Sequence, residues 1–143
     1  MSFFKGRTRN QNKYNIKINR VIDGDSLDLD IFLGFGIVFT DRRVRLLGVD
    51  TPEVRTSDPE EKKYGLLAKS FVEEWCLDKQ IVLVVNDKDD QDKFGRILGD
   101  LQDTEGNSLV KNIIDNYHGV AYTGQNKNMI QSQHMENRLK VQS

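Results

Sequence analysis

This sequence predicts an α+β fold, a five-stranded β-barrel carrying about three helices. Three observations predict it. Residues 14–47 alternate apolar and polar side chains in three successive runs joined by glycine-bearing turns, which reads as a three-stranded meander. One long stretch of helical periodicity comes next. Beyond it stand two further strand-like runs, and then two shorter helical segments.

Residues 1–13 are polar and basic and are expected to form a flexible arm, with a single folded domain over residues 14–142. Tyr14, Ile16 and Ile18 share one side of the first strand, which continues through Val21 and Ile22 with an irregularity near Arg20. Asp23-Gly24-Asp25 is a turn signal between strands. Leu27, Leu29 and Ile31 then alternate with Ser26, Asp28 and Asp30, so the second strand is expected to keep one wet face. Gly34-Phe35-Gly36 turns the chain into a third strand over residues 37–47, with Val38, Val44 and Leu46 apolar. Ser57, Asp58 and Pro59 mark a helix start. In the helix that follows, to about Leu77, Tyr64, Leu67, Ala68, Phe71, Val72 and Trp75 recur at three- and four-residue steps. Lys62, Lys69, Glu73 and Glu74 fall off that stripe. The unbroken apolar run Ile81-Val82-Leu83-Val84-Val85 is a strand at a barrel wall or buried on both faces, and residues 96–101 form the fifth strand. After a turn at residues 103–107, Ser108 caps a second helix running to about Tyr117. Val120-Ala121-Tyr122 is a short extended piece. Residues 129–140 form a last helix whose weak apolar side is Ile130, Met135 and Leu139. Five strands with a helix after the third fit a small closed barrel of the oligonucleotide-binding (OB) type.

The chain has 143 residues and a net charge of −1. That length suits one domain with a real core. No apolar run approaches the roughly 20 residues of a membrane span, so no membrane partner is expected. The basic start of the chain has no apolar signal core, and Cys76 is the only cysteine. The expectation is a cytoplasmic monomer, with secretion through a removed signal left open. Near-neutral charge means that any attraction for nucleic acid is local. Its candidate sources are Lys5, Arg7, Arg9, Lys13, Lys17 and Arg20, and the cluster Arg42, Arg43 and Arg45.

Four blocks occur in order: Val21-Ile22-Asp23-Gly24-Asp25-Ser26, Arg45-Leu46-Leu47-Gly48-Val49-Asp50-Thr51-Pro52-Glu53, Lys63-Tyr64-Gly65, and Asp92-Lys93-Phe94-Gly95-Arg96. Together they resemble the staphylococcal (micrococcal, thermonuclease-type) nuclease family across residues 14–122. The resemblance implies Ca²⁺ held by Asp25, Asp50 and the backbone carbonyl of Thr51. It implies that Arg45, Glu53 and Arg96 are catalytic. It also implies cleavage of DNA and RNA, single-stranded or frayed regions preferred, with 3′-phosphate ends.

The residues carry the same chemistry without the family. Phosphodiester hydrolysis needs an activated water, neutralised charge on the phosphate and a stabilised leaving oxygen. Asp25 and Asp50 stand at strand ends, where hard-cation oxygen ligands are available. Pro52 stiffens the loop that carries Glu53, which lies near enough in sequence to reach the same centre directly or through water, as general base or as the group that orients water. Arg45 and Arg96 suit a bidentate phosphate clamp. Asp23 is expected to support the metal ligands from behind.

Substrate contacts are expected from Lys93, Phe94 and Tyr122. Phe94 stands where the family usually has tyrosine, which removes a hydroxyl worth ~1 kcal/mol. Tyr122 matches a tyrosine that packs on the base, and Gly124 stands where its aromatic companion falls, a loss of roughly 1–3 kcal/mol of stacking. Tyr117, His118 or the arm are candidate replacements. His118 and His134 otherwise read as surface residues, Cys76 as a small core hydrophobe, and Asp87, Asp89, Asp90 and Asp92 as a solvated acidic loop. Three functions compete: a Ca²⁺-dependent endonuclease acting on DNA and/or RNA; a catalytically weak or inactive OB-fold module that binds nucleic acid; and an assembly protein whose acidic cluster binds cation for stability.

Overall fold

The computed structural model describes residues 11–86 and 90–141. Strands β1 (Gln11–Asp23), β2 (Ser26–Gly34) and β3 (Ile37–Leu46) form the antiparallel meander. Strand β4 (Val49–Asp50) and helix α1 (Pro59–Cys76) lead to β5 (Ile81–Asn86) and β6 (Ile97–Asp103). Helix α2 (Leu109–Asp115), strand β7 (Val120–Ala121) and helix α3 (Lys127–Arg138) complete the order.

The barrel closes in the order β1-β2-β3-β6-β5. It closes because β1 is long and bent. Residues 11–15 pair with β5, residues 15–23 pair with β2, and the register shifts between Ile18 and Arg20 and again between Val21 and Asp23. The irregularity expected near Arg20 is the first of these shifts, within the β1–β2 pairing. The arm expected to end at residue 13 enters the barrel at Gln11; residues 1–10, with Lys5, Arg7 and Arg9, lie outside the described residues. The other closing contact is parallel, β3 against β6, with Arg45 opposite Leu98 and Leu46 opposite Gly99. A side chain at Gly99 would meet the Val84 carbonyl at 2.6 Å, so only glycine lets β6 lie this close to β5.

Leu27, Leu29, Val44, Leu46, Leu83 and Leu101 fill the barrel, and Val72 of α1 with Leu109 and Ile113 of α2 extend the core. The α1 stripe is the one its periodicity predicts. Asp58 caps the helix by accepting from the N–H groups of Glu60 and Glu61, with Pro59 at its first position. Among the described residues no helix is long and apolar enough to cross a membrane.

Three expectations are corrected. The polar face of β2 is not wet at Ser26 and Asp28, which are buried. Arg20 and Arg43 fold over Asp28 and pair with it, Arg20 Nε at 2.7 Å, and their stems cover the carboxylate. Val38 does not join the core. The β2–β3 hairpin runs past the barrel, leaving Phe32, Leu33, Phe35, Ile37, Val38 and Phe39 exposed. The apolar side assigned to α3 holds only in part: Ile130 is half-buried, but Met135 is exposed, Leu139 is 88% exposed, and the fully buried residue is His134.

The Asp28 ion pairs set a pH dependence. Burial opposes ionisation of Asp28, but Arg43 and Arg20 outweigh it and hold the carboxyl below its usual range. Their stabilisation is therefore present above the ordinary value of about 4 and fades as pH falls through the lower folded-state value. Asp28→Asn is expected to lose on the order of 1–2 kcal/mol at pH 7 in urea unfolding. The gap to wild type should close as the pH drops below about 4.

Candidate active site

Five segments converge on one cavity of about 630 Å³. Gly48, at φ 89°, turns the chain out of β3 so that Asp50 returns beside Arg45. Strand β4 is then pinned by β7, with Asp50 opposite Val120, and Tyr122 N–H donates to the Gly48 carbonyl at 2.9 Å. This short pairing carries Tyr122 and α3 over the Asp50 loop. On the other side the 23–25 turn abuts β3, where Leu46 N–H donates to the Asp25 carbonyl at 2.8 Å.

Arg45 is the centre of the site. Its Nη1 donates to the carbonyls of Leu46 at 2.7 Å and Val49 at 2.8 Å, which fixes the guanidinium plane. Its Nη2 then lies 3.5 Å from Asp25 Oδ2 and 3.6 Å from Asp50 Oδ1. Asp25 is 7% exposed. It accepts from Thr51 N–H at 3.0 Å and from the Ser26 hydroxyl at 3.1 Å. Burial pushes its carboxyl above the usual range; Arg45 and the Thr51 N–H pull it down, and the charge of Asp50 pushes it up again. Glu53 opens onto the same cavity. Burial raises its carboxyl first, followed by the charges of Glu61, Asp23, Asp25 and Asp50.

Asp23 Oδ1 accepts from Val54 N–H at 2.9 Å and so anchors the loop that carries Thr51 and Glu53. Helix α1 seats the same loop from behind, since a side chain at Gly65 would meet the Glu53 carbonyl at 2.4 Å. Asp23 thus steadies this loop through its backbone.

Arg96 reaches the cavity from the turn before β6. Asp92 shapes that turn, accepting at Oδ1 from the N–H groups of Phe94 and Arg96, both at 2.9 Å, and at Oδ2 from Arg96 Nε at 2.6 Å. The acidic loop reading fails at Asp92, which orients an arginine; Asp87 and Asp89 lie outside the described residues. Tyr122 lines the cavity, whereas Lys93 and Phe94 stand beside it. The Phe94 ring is 73% exposed, with Lys93 Nζ 5.3 Å and the Arg96 guanidinium 5.8 Å from its centroid. Gly124 adopts φ 87° in the following turn. Tyr117 and His118 line a different cleft. His118 packs on Phe71 at 4.7 Å, and burial lowers its affinity for a proton. Cys76 packs against the core, and burial pushes its thiol up to about 12.

Among the described candidates for attracting nucleic acid, the arginines have partners. Arg20 also pairs with Asp41 at 2.8 Å, Arg43 with Asp28, and Arg42 lies over the Phe39 ring at 3.8 Å. Sequence reasoning missed His134. It is 9% exposed, and its Nε2 lies 2.7 Å from Asp50 Oδ2. No local pattern signals this contact, because 84 positions separate the partners.

Among the described residues no group of three His, Cys, Asp or Glu side chains is drawn together as a finished metal cage. The donor chemistry nevertheless fits a hard cation. Asp25, Asp50 and Glu53 are oxygen donors around one region, and Asp25 and Glu53 are each raised in part by the other acids there.

The raised Asp25 carboxyl, due first to burial and then to the charge of Asp50, makes a stability prediction. A carboxyl raised in the folded state costs stability above its folded pKa and nothing below the unfolded value of about 4. Asp25→Asn is expected to raise the melting temperature of the metal-free protein at pH 7, with the gain vanishing as the pH approaches about 4.

The family model for staphylococcal nuclease homologues matches residues 43–142. A thermonuclease of Staphylococcus intermedius is 38% identical over 81 residues, covering 57% of this chain and 44% of that protein. A thermonuclease of Staphylococcus hyicus is 34% identical over 89 residues, 62% of this chain and 48% of that protein. An uncharacterized protein of Methanocaldococcus jannaschii is 30% identical over 114 residues, 68% of this chain and 52% of that protein. The chain spans about half the length of the curated relatives it matches.

Proposed function

The chain belongs to the staphylococcal nuclease family, and from that premise we propose that it is a Ca²⁺-dependent endonuclease that hydrolyses phosphodiester bonds of DNA and/or RNA and leaves 3′-phosphate ends. The observation that carries the reading is the Arg45 guanidinium set between Asp25 and Asp50, on a cavity that Glu53 and Arg96 also face.

Asp25, Asp50 and the Thr51 carbonyl would hold the cation, with Glu53 contributing directly or through water. When bound, Ca²⁺ supplies a Lewis acid that draws charge from the phosphate oxygens. Arg45 and Arg96 grip the phosphate and oppose the charge that grows on it. Arg96 is presented for this by Asp92, which takes its Nε and leaves the outer nitrogens for the phosphate. Glu53 orients the attacking water or takes its proton, and its raised carboxyl moves it toward the working range of a base. Tyr122 lies against the base, and Lys93 and Phe94 extend the contact along the strand.

A second reading, a weak or inactive module that binds nucleic acid, is favoured by the groups this chain lacks. Phe94 offers no hydroxyl, and Gly124 offers no ring beside Tyr122. Digestion of single-stranded DNA, RNA and plasmid separates the two, with Ca²⁺, with Mg²⁺ or with chelator. The expected outcome is cleavage with Ca²⁺ that chelator abolishes and that Glu53→Gln lowers by about 10²–10⁴-fold with the fold retained. Oligonucleotide binding without cleavage in any metal would establish the module instead.

A further inference from the structure

Helix α3 has little to hold it by hydrophobic packing. Met135 and Leu139 face solvent, and the one residue of α3 that is buried is His134. Its attachments are polar. Asn137 Nδ2 donates to the Gly119 carbonyl at 3.1 Å, Gln133 Oε1 accepts from Gln125 Nε2 at 3.1 Å, and the Arg138 guanidinium lies 5.2 Å from the Tyr64 ring centroid. The deepest of them joins His134 to Asp50.

That bond has a consequence at Asp50. An ionised carboxylate only accepts, so Nε2 of His134 carries the hydrogen and donates it to Oδ2 at 2.7 Å. The opposite oxygen, Oδ1, is turned toward Arg45 Nη2. The carboxylate is therefore hydrogen-bonded at one oxygen and faces a cation at the other, which restricts its rotation about the Cβ–Cγ bond. Because β4 is only two residues long, its pairing with β7 fixes the Asp50 backbone but not this side-chain torsion. We propose that His134 is a positioning residue that fixes the Asp50 carboxylate for cation binding, through its own hydrogen bond rather than through the attachment of α3 as a whole. The inference rests on the reading of Asp25 and Asp50 as cation ligands. His134 does not touch the reacting atoms. It acts as a partner hydrogen-bonded to a metal-binding side chain, where losses of roughly 10–100-fold in metal affinity are typical.

The test is calorimetric titration of the full chain with CaCl₂, with circular dichroism and a melting curve for each variant. His134→Ala is expected to weaken Ca²⁺ binding roughly 10–100-fold. His134→Gln, whose amide nitrogen reaches the same place, should recover most of that loss. Asn137→Ala loosens α3 at Gly119 without touching Asp50, and should lower the melting temperature while leaving Ca²⁺ affinity unchanged. If wild type binds Ca²⁺ and His134→Ala binds it equally well, the proposal is overturned. Equal losses in His134→Ala and Asn137→Ala would also overturn it, since the effect would be helix attachment alone. If His134→Ala does not fold, the glutamine variant decides: near wild-type affinity supports positioning, and a loss as large as tenfold contradicts it. Failure of wild type to bind Ca²⁺ at all would instead remove the cation-site reading on which the proposal stands.

Discussion

The Arg45 guanidinium is the constraint on which this site depends. It is tied by one nitrogen to two backbone carbonyls and directed by the other at two carboxylates. It offsets part of the charge of both carboxylates. Asp25 is buried, and Asp50 faces it across the same guanidinium. The barrel supplies the geometry. Parallel pairing of β3 with β6 puts Arg45 in the wall, and the Gly48 turn brings Asp50 back beside it. Arg45 alone stands between two carboxylates, and Glu53 opens onto the same cavity, so these four side chains carry a surplus of negative charge that a cation would offset.

That surplus is a form of stored strain. Burial and neighbouring acids raise Asp25 and Glu53, so the metal-free fold carries a cost that an apolar or amide replacement would relieve. The opposite arrangement sits a few residues away. Asp28 is buried too, but two arginines cover it and hold it ionised. Asp25 in the turn and Asp28 on the strand that follows it show how the number of cationic partners decides whether a buried carboxylate is held below or pushed above its usual range.

Much of the fold was legible because it rests on local periodicity. The meander, the α1 stripe, the Asp58 and Ser108 caps and the apolar wall of β5 each follow from residues close in sequence. Site residues were legible where they sit in compact blocks with distinctive order. What escaped depends on contacts between distant segments. Asp28 looked solvent-facing because alternation cannot show that Arg20 and Arg43 fold back over it. Asp92 looked like one acid in a run until its turn was seen to enclose Arg96. His134 gave no signal, since its partner lies on another element. Met135 and Leu139 misled because a sparse apolar stripe on a short helix does not reveal which side meets the barrel.

The central claim is that Arg45, Asp25 and Asp50 mark the place where a hard cation meets a phosphate. The most direct measurement is a crystal structure with Ca²⁺ and a non-hydrolysable phosphorothioate dinucleotide, with the cation located by anomalous scattering. The account predicts a calcium peak held by Asp25, Asp50 and the Thr51 carbonyl, with the phosphate between Arg45 and Arg96. A cation bound elsewhere, or a nucleotide seated away from Arg45 with no cation beside it, would contradict it.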